Sequence, residues 1–254
     1  MMKVSVMQII IYFFYHLPRF LAHKKTWLKQ NHGQYELITK ELSKEIIREP
    51  TIDIFNLPMT EVNFTVFDLE TTGLFPKIGD EVLSIGAMKI NIHHIQFPES
   101  FYEIICPVKQ PSFEVRDLTG LTLATINSGK SFPTGFLQFY EFAKGTVIAA
   151  HPASFDVTFL KKMALRWELP SFEPVVIDTY EMAQLIFPNS KNSLDELVNR
   201  FDIEEKERHH ALNDAFMTSE VLKYLIDELI KRNIFTLNQF FQVKNAKDLA
   251  EYSR

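Results

Sequence analysis

FTVFDLETTGL, Phe64 to Leu74, decides how the rest of the chain is read. Val66, Phe67 and their apolar neighbours describe a buried strand, yet the run carries two carboxylates one residue apart, Asp68 and Glu70. Acidic side chains are rarely buried unless they are paired or bind a cation. In an extended chain, residues i and i+2 point to the same side, so Asp68 and Glu70 face one way and Leu69 the other. Two like charges held that close repel unless a cation lies between them. The stretch reads as half of a metal site, and the other half has to come from elsewhere in the chain.

Outward from this strand, short β-branched or aromatic runs recur. EVLSIGAMKI (Glu81 to Ile90) and SFYEIICPV (Ser100 to Val108) follow, set off by the turn-like pieces PKIGD and NIHHIQFPE. That spacing predicts an antiparallel meander. A helix is expected near Ser131 to Ala143, and TVIAA (Thr146 to Ala150) reads as a strand buried on both faces. Helix and strand then alternate through SFDVTFLKKMALRW, PVVIDT, TYEMAQLIF and SLDELVNRF. Ser193 and Glu196 form a capping box for the last of these. A further helix begins near Ala211. The pattern implies a mixed sheet covered by helices, an α/β domain.

Residues 1 to about 50 read as helix, with apolar positions 37, 38, 42, 46 and 47 at helical spacing. Glu49 to Glu61 reads as a connector, and the residues after about 230 as one more amphipathic helix. VSVMQIIIYFFY (Val4 to Tyr15) is apolar but short of the roughly 20 residues that a spanning helix needs. One early Lys and no A-x-A cleavage site speak against a secretory signal. The segment is expected to dock on the domain or on a partner, and membrane contact is not expected.

Composition narrows the function. A chain of 254 residues that is 46% hydrophobic, with 23 Phe, builds a Phe-rich core. Cys106 is the single cysteine, which precludes an intramolecular disulfide and suits a reducing, cytoplasmic setting. A net charge of −5 and a pI near 5.9 are not those of a protein that wraps long duplex DNA by neutralising phosphates. A nucleic-acid substrate would be met locally, at a chain end and through metal.

Two further acids stand where packing alone would not put them. Asp156 lines up with Phe159, Leu160, Met163 and Trp167 on the apolar face of its helix. Asp214 lines up with Met217, Thr218, Val221 and Leu225 near the start of its own. An acid at a helix start is ordinarily a cap or a solvated residue, but here two face inward, each after a His-containing turn. With Asp68 and Glu70 they make four hard oxygen donors, a set for Mg²⁺ or Mn²⁺. Four carboxylates can hold two such ions for attack of water on a phosphodiester. A histidine of RHHALND, His209 or His210, supplies a base.

These motifs resemble the DEDDh group of 3′–5′ exonucleases, which includes the proofreading epsilon subunits of bacterial replicative polymerases. FDLETTGL matches the first motif, AHPASFD the second and HHALNDA the third, over roughly Val62 to Tyr224. The resemblance implies a ribonuclease H-like mixed five-stranded sheet flanked by helices, here with an N-terminal helical extension. It implies Asp68, Glu70, Asp156 and Asp214 as ligands of two Mg²⁺ or Mn²⁺ ions. The family spacing of His, four residues, then Asp selects His209 as the general base. Thr71, Thr72, Gly73 and Leu74 are implied to meet the terminal nucleotide, Leu74 as a wedge, with His151 helping to position a ligand. Thr119 stands where some relatives have His, Pro152 where the second motif usually has Asn, and Asp178 is read as a helix cap.

The domain boundaries follow: 1–60 a helical extension and linker, 61–230 the exonuclease domain, 231–254 a C-terminal helical tail. The expected activity is metal-dependent hydrolysis from the 3′ end of single-stranded nucleic acid, DNA in preference to RNA, releasing nucleoside 5′-monophosphates. A short-RNA exoribonuclease is the enzymatic alternative, although DLETTG lacks the Met that the oligoribonuclease branch carries between its first two acids. A non-catalytic adaptor on the same fold is the alternative of another class. No polymerase or helicase segment accompanies the motifs, so a stand-alone enzyme or separate subunit is expected, with the N-terminal extension available to a polymerase or another replication or repair protein.

Overall fold

The structure, a computed structural model, describes residues 4–46, 53–92 and 99–252, and of residues 45, 46 and 247–252 the backbone only. Most of the NIHHIQFPE turn and part of the Glu49–Glu61 connector lie outside the described residues. Five strands, β1 (Phe64–Thr71), β2 (Val82–Ile90), β3 (Glu99–Ile104), β4 (Val147–Ala150) and β5 (Val176–Asp178), form one sheet in the order β3-β2-β1-β4-β5. β1 runs antiparallel to β2, and β2 to β3, whereas β4 and β5 join in parallel. The mixed sheet agrees with the sequence pattern, and its five strands with the family resemblance. SFYEIICPV stays extended only as far as Ile104, after which Ile105 bridges Lys130.

β1 has period-2 alternation with both faces covered. Phe67 and Leu69 point into one core with Ile85, Ile148 and Phe139. Phe64 and Val66 point into the other with Met88, Val147 and Ala149. Asp68 and Glu70 continue the Phe64–Val66 side. The first core is covered by α6 (Phe132–Ala143) and α7 (Ala153–Arg166), the second by α8 (Thr179–Ile186), α9 (Leu194–Arg200) and α10 (Ala211–Lys231). Phenylalanine rings pack against one another in the first core: Phe67 and Phe139 lie tilted with centres 5.1 Å apart, and Phe132 and Phe136 stack at 5.3 Å.

The N-terminal extension is only partly docked. It comprises α1 (Val6–Ile11), a π-helical turn (Tyr12–His16), α2 (Leu17–Gln30) and α3 (His32–Ile46). The π turn precedes Pro18, whose ring and missing N–H would break regular helical bonding there; the Leu17 N–H reaches back to the Tyr12 carbonyl instead. Phe20, Ile38 and Leu42 join the first core, and Phe20 and Trp27 each meet Trp167 edge-on at 5.4 Å. Lys24 Nζ donates to the Arg166 carbonyl and pairs with Glu168. α1, by contrast, buries none of its residues. Of the Val4–Tyr15 segment, expected to dock on the domain or on a partner, the domain therefore buries no residue of α1 and meets only the Tyr12 side, at Gly79. Among the described residues no helix is long and apolar enough to cross a membrane.

Two short helices that the sequence reading did not identify lie between β3 and α6: α4 (Phe113–Thr119), capped by Ser112, and α5 (Leu123–Asn127), capped by Thr122. The capping box of α9 forms by half. Ser193 accepts from the Glu196 N–H, but the Glu196 carboxylate turns to Lys191 at 3.8 Å. α11 (Leu237–Tyr252) adds Leu237 and Phe240 to the second core.

Candidate metal centre and active site

Asp68 stands opposite Gly86 in the β1–β2 register, and the register shifts between Glu70 and Thr71. Such an irregularity bends a strand end and re-aims its side chains. Gly86 decides what lies above. A Cβ there would sit 2.2 Å from the backbone of Ala211 and Leu212, so the first turn of α10 rests directly on the sheet. That contact lowers Asp214 onto the acids of β1. One carboxylate oxygen from each of Asp68, Glu70 and Asp214 lies within 4.8 Å of the others. Asp156, in the first turn of α7, adjoins this group: its Oδ1 accepts the Leu69 N–H at 3.2 Å. The four acids singled out in the sequence thus gather at one end of β1.

Their electrostatics are those of crowded anions. Burial, then the charges of Asp156, Glu70 and Asp214, hold the Asp68 carboxyl well above the usual carboxylate range. Glu70 is pushed up to about 7 by burial and by Asp214, with Arg208 opposing. Asp156 is raised mainly by burial, against the Leu69 hydrogen bond. Asp214 Oδ1 is buried and accepts no hydrogen bond from the described residues. Buried acceptors are ordinarily satisfied. An all-oxygen donor set with an orphaned carboxylate oxygen fits a hard divalent cation.

Arg208 is the contributor that the sequence reading missed. It forms ion pairs with Asp214 Oδ2 and with Asp195 Oδ1, so a cationic side chain already stands at one edge of the acidic group. Its position beside His209 carried no signal that would separate it from a solvated arginine. Gly86 was likewise hidden inside an ordinary strand pattern.

His209 lies on the turn before α10 in the left-handed backbone region, φ 61°, which non-glycine residues rarely adopt. It is exposed, and its backbone N–H donates to Asp214 Oδ2 at 3.3 Å. His210 is half-buried and stacks on Tyr102 with ring centres 4.7 Å apart. At the end of β1, Thr71 Oγ1 donates to the Gly73 carbonyl, and the buried Thr72 accepts the Glu81 N–H. A Cβ on Gly73 would strike the Asp80 carboxylate at 2.5 Å. That carboxylate in turn accepts the Phe75 N–H. The turn so fixed displays Leu74, half of whose surface is exposed.

His151 is engaged with the start of α8. Its Nδ1 meets the Thr179 hydroxyl at 2.9 Å and its ring packs edge-on against Tyr180. Burial lowers its pKa from 6.5 to about 4. A histidine depressed in the folded state contributes stability that is whole above 6.5 and is lost as pH falls toward 4. The cost at low pH is on the order of 3 kcal/mol. His151→Gln is expected to lose that much less stability than the parent between pH 7 and 4 in melting experiments, and parallel acid limbs would contradict the assignment.

Pro152, where an Asn would cap α7, makes no side-chain cap. Asp178 serves instead: it accepts from the Ser154 N–H of α7 and from the Tyr180 and Glu181 N–H groups of α8. The cap expected of Asp178 is therefore present and serves two helices. Thr119 keeps its hydroxyl on the Val115 carbonyl within α4.

Comparison with known proteins places these features in company. The RNase_T family model, described as an exonuclease, matches residues 65–222. The chain is 34% identical over 184 residues to the DNA polymerase III PolC-type of Caldanaerobacter subterraneus subsp. tengcongensis, covering 72% of this chain and 13% of the relative. It is 33% identical over 182 residues to a DNA polymerase III subunit epsilon-like protein of Rhodobacter capsulatus, covering 70% of this chain and 26% of that one. The chain thus spans a minor part of these relatives. In structure it is similar to the nuclease domain of 3′hExo, a DEDDh family member bound to rAMP, with TM-score 0.61 and 15% identity over 68% of this chain and 95% of that one. Exonuclease X in complex with 5′ overhanging duplex DNA gives TM-score 0.53 and 21% identity, over 71% and 99%.

Proposed function

Because the chain belongs to the RNase_T exonuclease family, we propose that it removes nucleotides from the 3′ end of single-stranded DNA and releases nucleoside 5′-monophosphates. The observation that carries this reading is the convergence of Asp68, Glu70 and Asp214 within 4.8 Å, beside the buried Asp156. These four would hold two divalent ions, Mg²⁺ or Mn²⁺, which when bound supply Lewis-acid stabilisation of charge on the phosphoryl oxygens and the leaving 3′ oxygen. The carboxylates hold their positions through the sheet register and through helix starts, so the site is organised on rigid elements.

His209 is assigned as the base that takes the proton of the attacking water. Its exposure and its backbone bond to Asp214 favour it over His210, which is committed to Tyr102. His209→Ala is expected to lower turnover about a hundredfold or more, whereas His210→Ala stays within severalfold. A steady-state assay in which His210→Ala is the more severe would reverse the assignment. Thr71, Thr72 and Gly73 are assigned to the terminal nucleotide, Leu74 to wedge against its base, and His151 to help position a ligand.

DNA is favoured because the PolC-type and epsilon-like relatives are DNA polymerase III proteins. The same relatives suggest service beside a polymerase, in the cytoplasm. A short-RNA substrate is the second reading, motivated by the ribonucleotide in the 3′hExo complex. We assign the chemistry to residues 61–230, flanked by 1–60 and 231–254. The deciding experiment compares release of 3′ label from single-stranded DNA, from a duplex with a 3′ mismatch and from short RNA, with and without EDTA. Metal-dependent release of 5′-monophosphates, fastest from DNA, is expected. Faster release from RNA would move the substrate class, and no release from any of them would leave only an adaptor.

A further inference from the structure

The exposed start of the chain has no part in the site just described. Val6 is 73% and Phe14 83% exposed, an unusual state for large apolar side chains. At about 100° per residue, the exposed Val6, Ile9, Ile11, Phe13, Phe14 and Tyr15 spread over roughly two thirds of the helix circumference. The remaining side, that of Tyr12 and His16, meets the domain at Gly79, where a Cβ would lie 2.9 Å from the Tyr12 ring. A helix that fits a protein groove presents a narrower apolar stripe. One that is apolar over most of its circumference suits a surrounding apolar phase.

Charge points the same way. The first 35 residues contain Lys3, Arg19, Lys24, Lys25 and Lys29 and no Asp or Glu, a net +5 in a chain whose total is −5. Lys24 is held by Glu168, but Arg19, Lys25 and Lys29 are exposed along α2 immediately after the apolar run. From Val6 to His16 the helix rises about 16 Å, half of a roughly 30 Å hydrocarbon core. It can enter one leaflet and cannot cross two. The exposed Tyr15 and the basic run after it match the aromatic and cationic residues that settle at a headgroup boundary.

We propose that α1 and the π turn seat this protein on an anionic lipid surface, with the apolar helix in the outer hydrocarbon of one leaflet and Arg19, Lys25 and Lys29 on the headgroups. This departs from the sequence expectation that membrane contact is absent, and names the partner of the N-terminal segment as lipid.

The test is flotation of the full chain with vesicles of phosphatidylcholine alone or with about one part in four phosphatidylglycerol. Binding to the anionic vesicles only is expected, weakened at least tenfold by about 0.5 M salt. Ile10→Glu with Phe14→Glu should abolish it. Arg19→Ala with Lys25→Ala and Lys29→Ala should weaken it about a hundredfold. These positions are exposed, so unchanged melting curves are expected and verify the fold. No flotation, or equal flotation on neutral vesicles, overturns the proposal. So does a vesicle-free sedimentation experiment in which the Glu variant converts a dimer to a monomer, since the helix would then serve a second copy.

Discussion

Asp68→Asn is expected to melt higher than the parent protein in EDTA and to lose at least about a thousandfold in 3′-end hydrolysis. The two effects have one cause. Without metal, Asp68 shares a buried site with Glu70, Asp156 and Asp214, and its carboxyl is held well above its usual range. An amide of the same shape removes that opposition. The gain in the metal-free state is about 1–2 kcal/mol, or roughly 2–4 °C for each kcal/mol in a domain of this size. The loss in rate corresponds to about 4 kcal/mol of transition-state stabilisation, the range assigned to Lewis-acid chemistry. Added Mg²⁺ or Mn²⁺ binds only the folded state, so it should raise the parent's melting temperature by mass action and leave the variant's almost unmoved. A variant that melts lower than the parent in EDTA would show that the four acids do not oppose one another.

Gly86→Ala is expected to be the most damaging single-methyl change in the sheet. The added carbon would meet Ala211 and Leu212 backbone atoms at 2.2 Å and the Ala211 carbonyl oxygen at 2.5 Å. Backbone at a helix start cannot rotate aside as a side chain can, so α10 must lift from β2. A cost of at least about 3 kcal/mol follows from overpacking of this kind. Any protein that still folds should carry Asp214 displaced from Asp68 and Glu70 and lose hydrolysis with it. Gly120→Ala is the control. Gly120 has φ 66° with open space around it, so only the left-handed backbone penalty of about 1–2 kcal/mol applies. Equal melting temperatures for the two variants would remove Gly86 from the account of how the site is assembled.

What the sequence could and could not disclose follows from which interactions are local. Asp68 and Glu70 were legible because alternation along β1 is a property of eight consecutive residues, and the sheet supports the same alternation. Asp156 and Asp214 were legible because a charge on an apolar helical stripe breaks a short-range pattern. α4 and α5 were missed because each is one or two turns long; Ser112 and Thr122 marked their starts, but no apolar period was long enough to confirm them. Arg208, Gly86 and the half-formed cap at Ser193 depend on partners that tertiary packing brings within reach. The Val4–Tyr15 segment shows the converse: its apolar composition suggested docking on the domain or a partner, and among the described residues the domain leaves α1 exposed.

The guanidinium of Arg208 gives the pocket a resident tenant. Any ion arriving at Asp214 has to compete with a cation that is tethered to the same chain and also anchored to Asp195. The acidic group therefore carries a tethered counter-charge of its own, which opposes the mutual repulsion of Asp68, Glu70 and Asp214 in the folded chain.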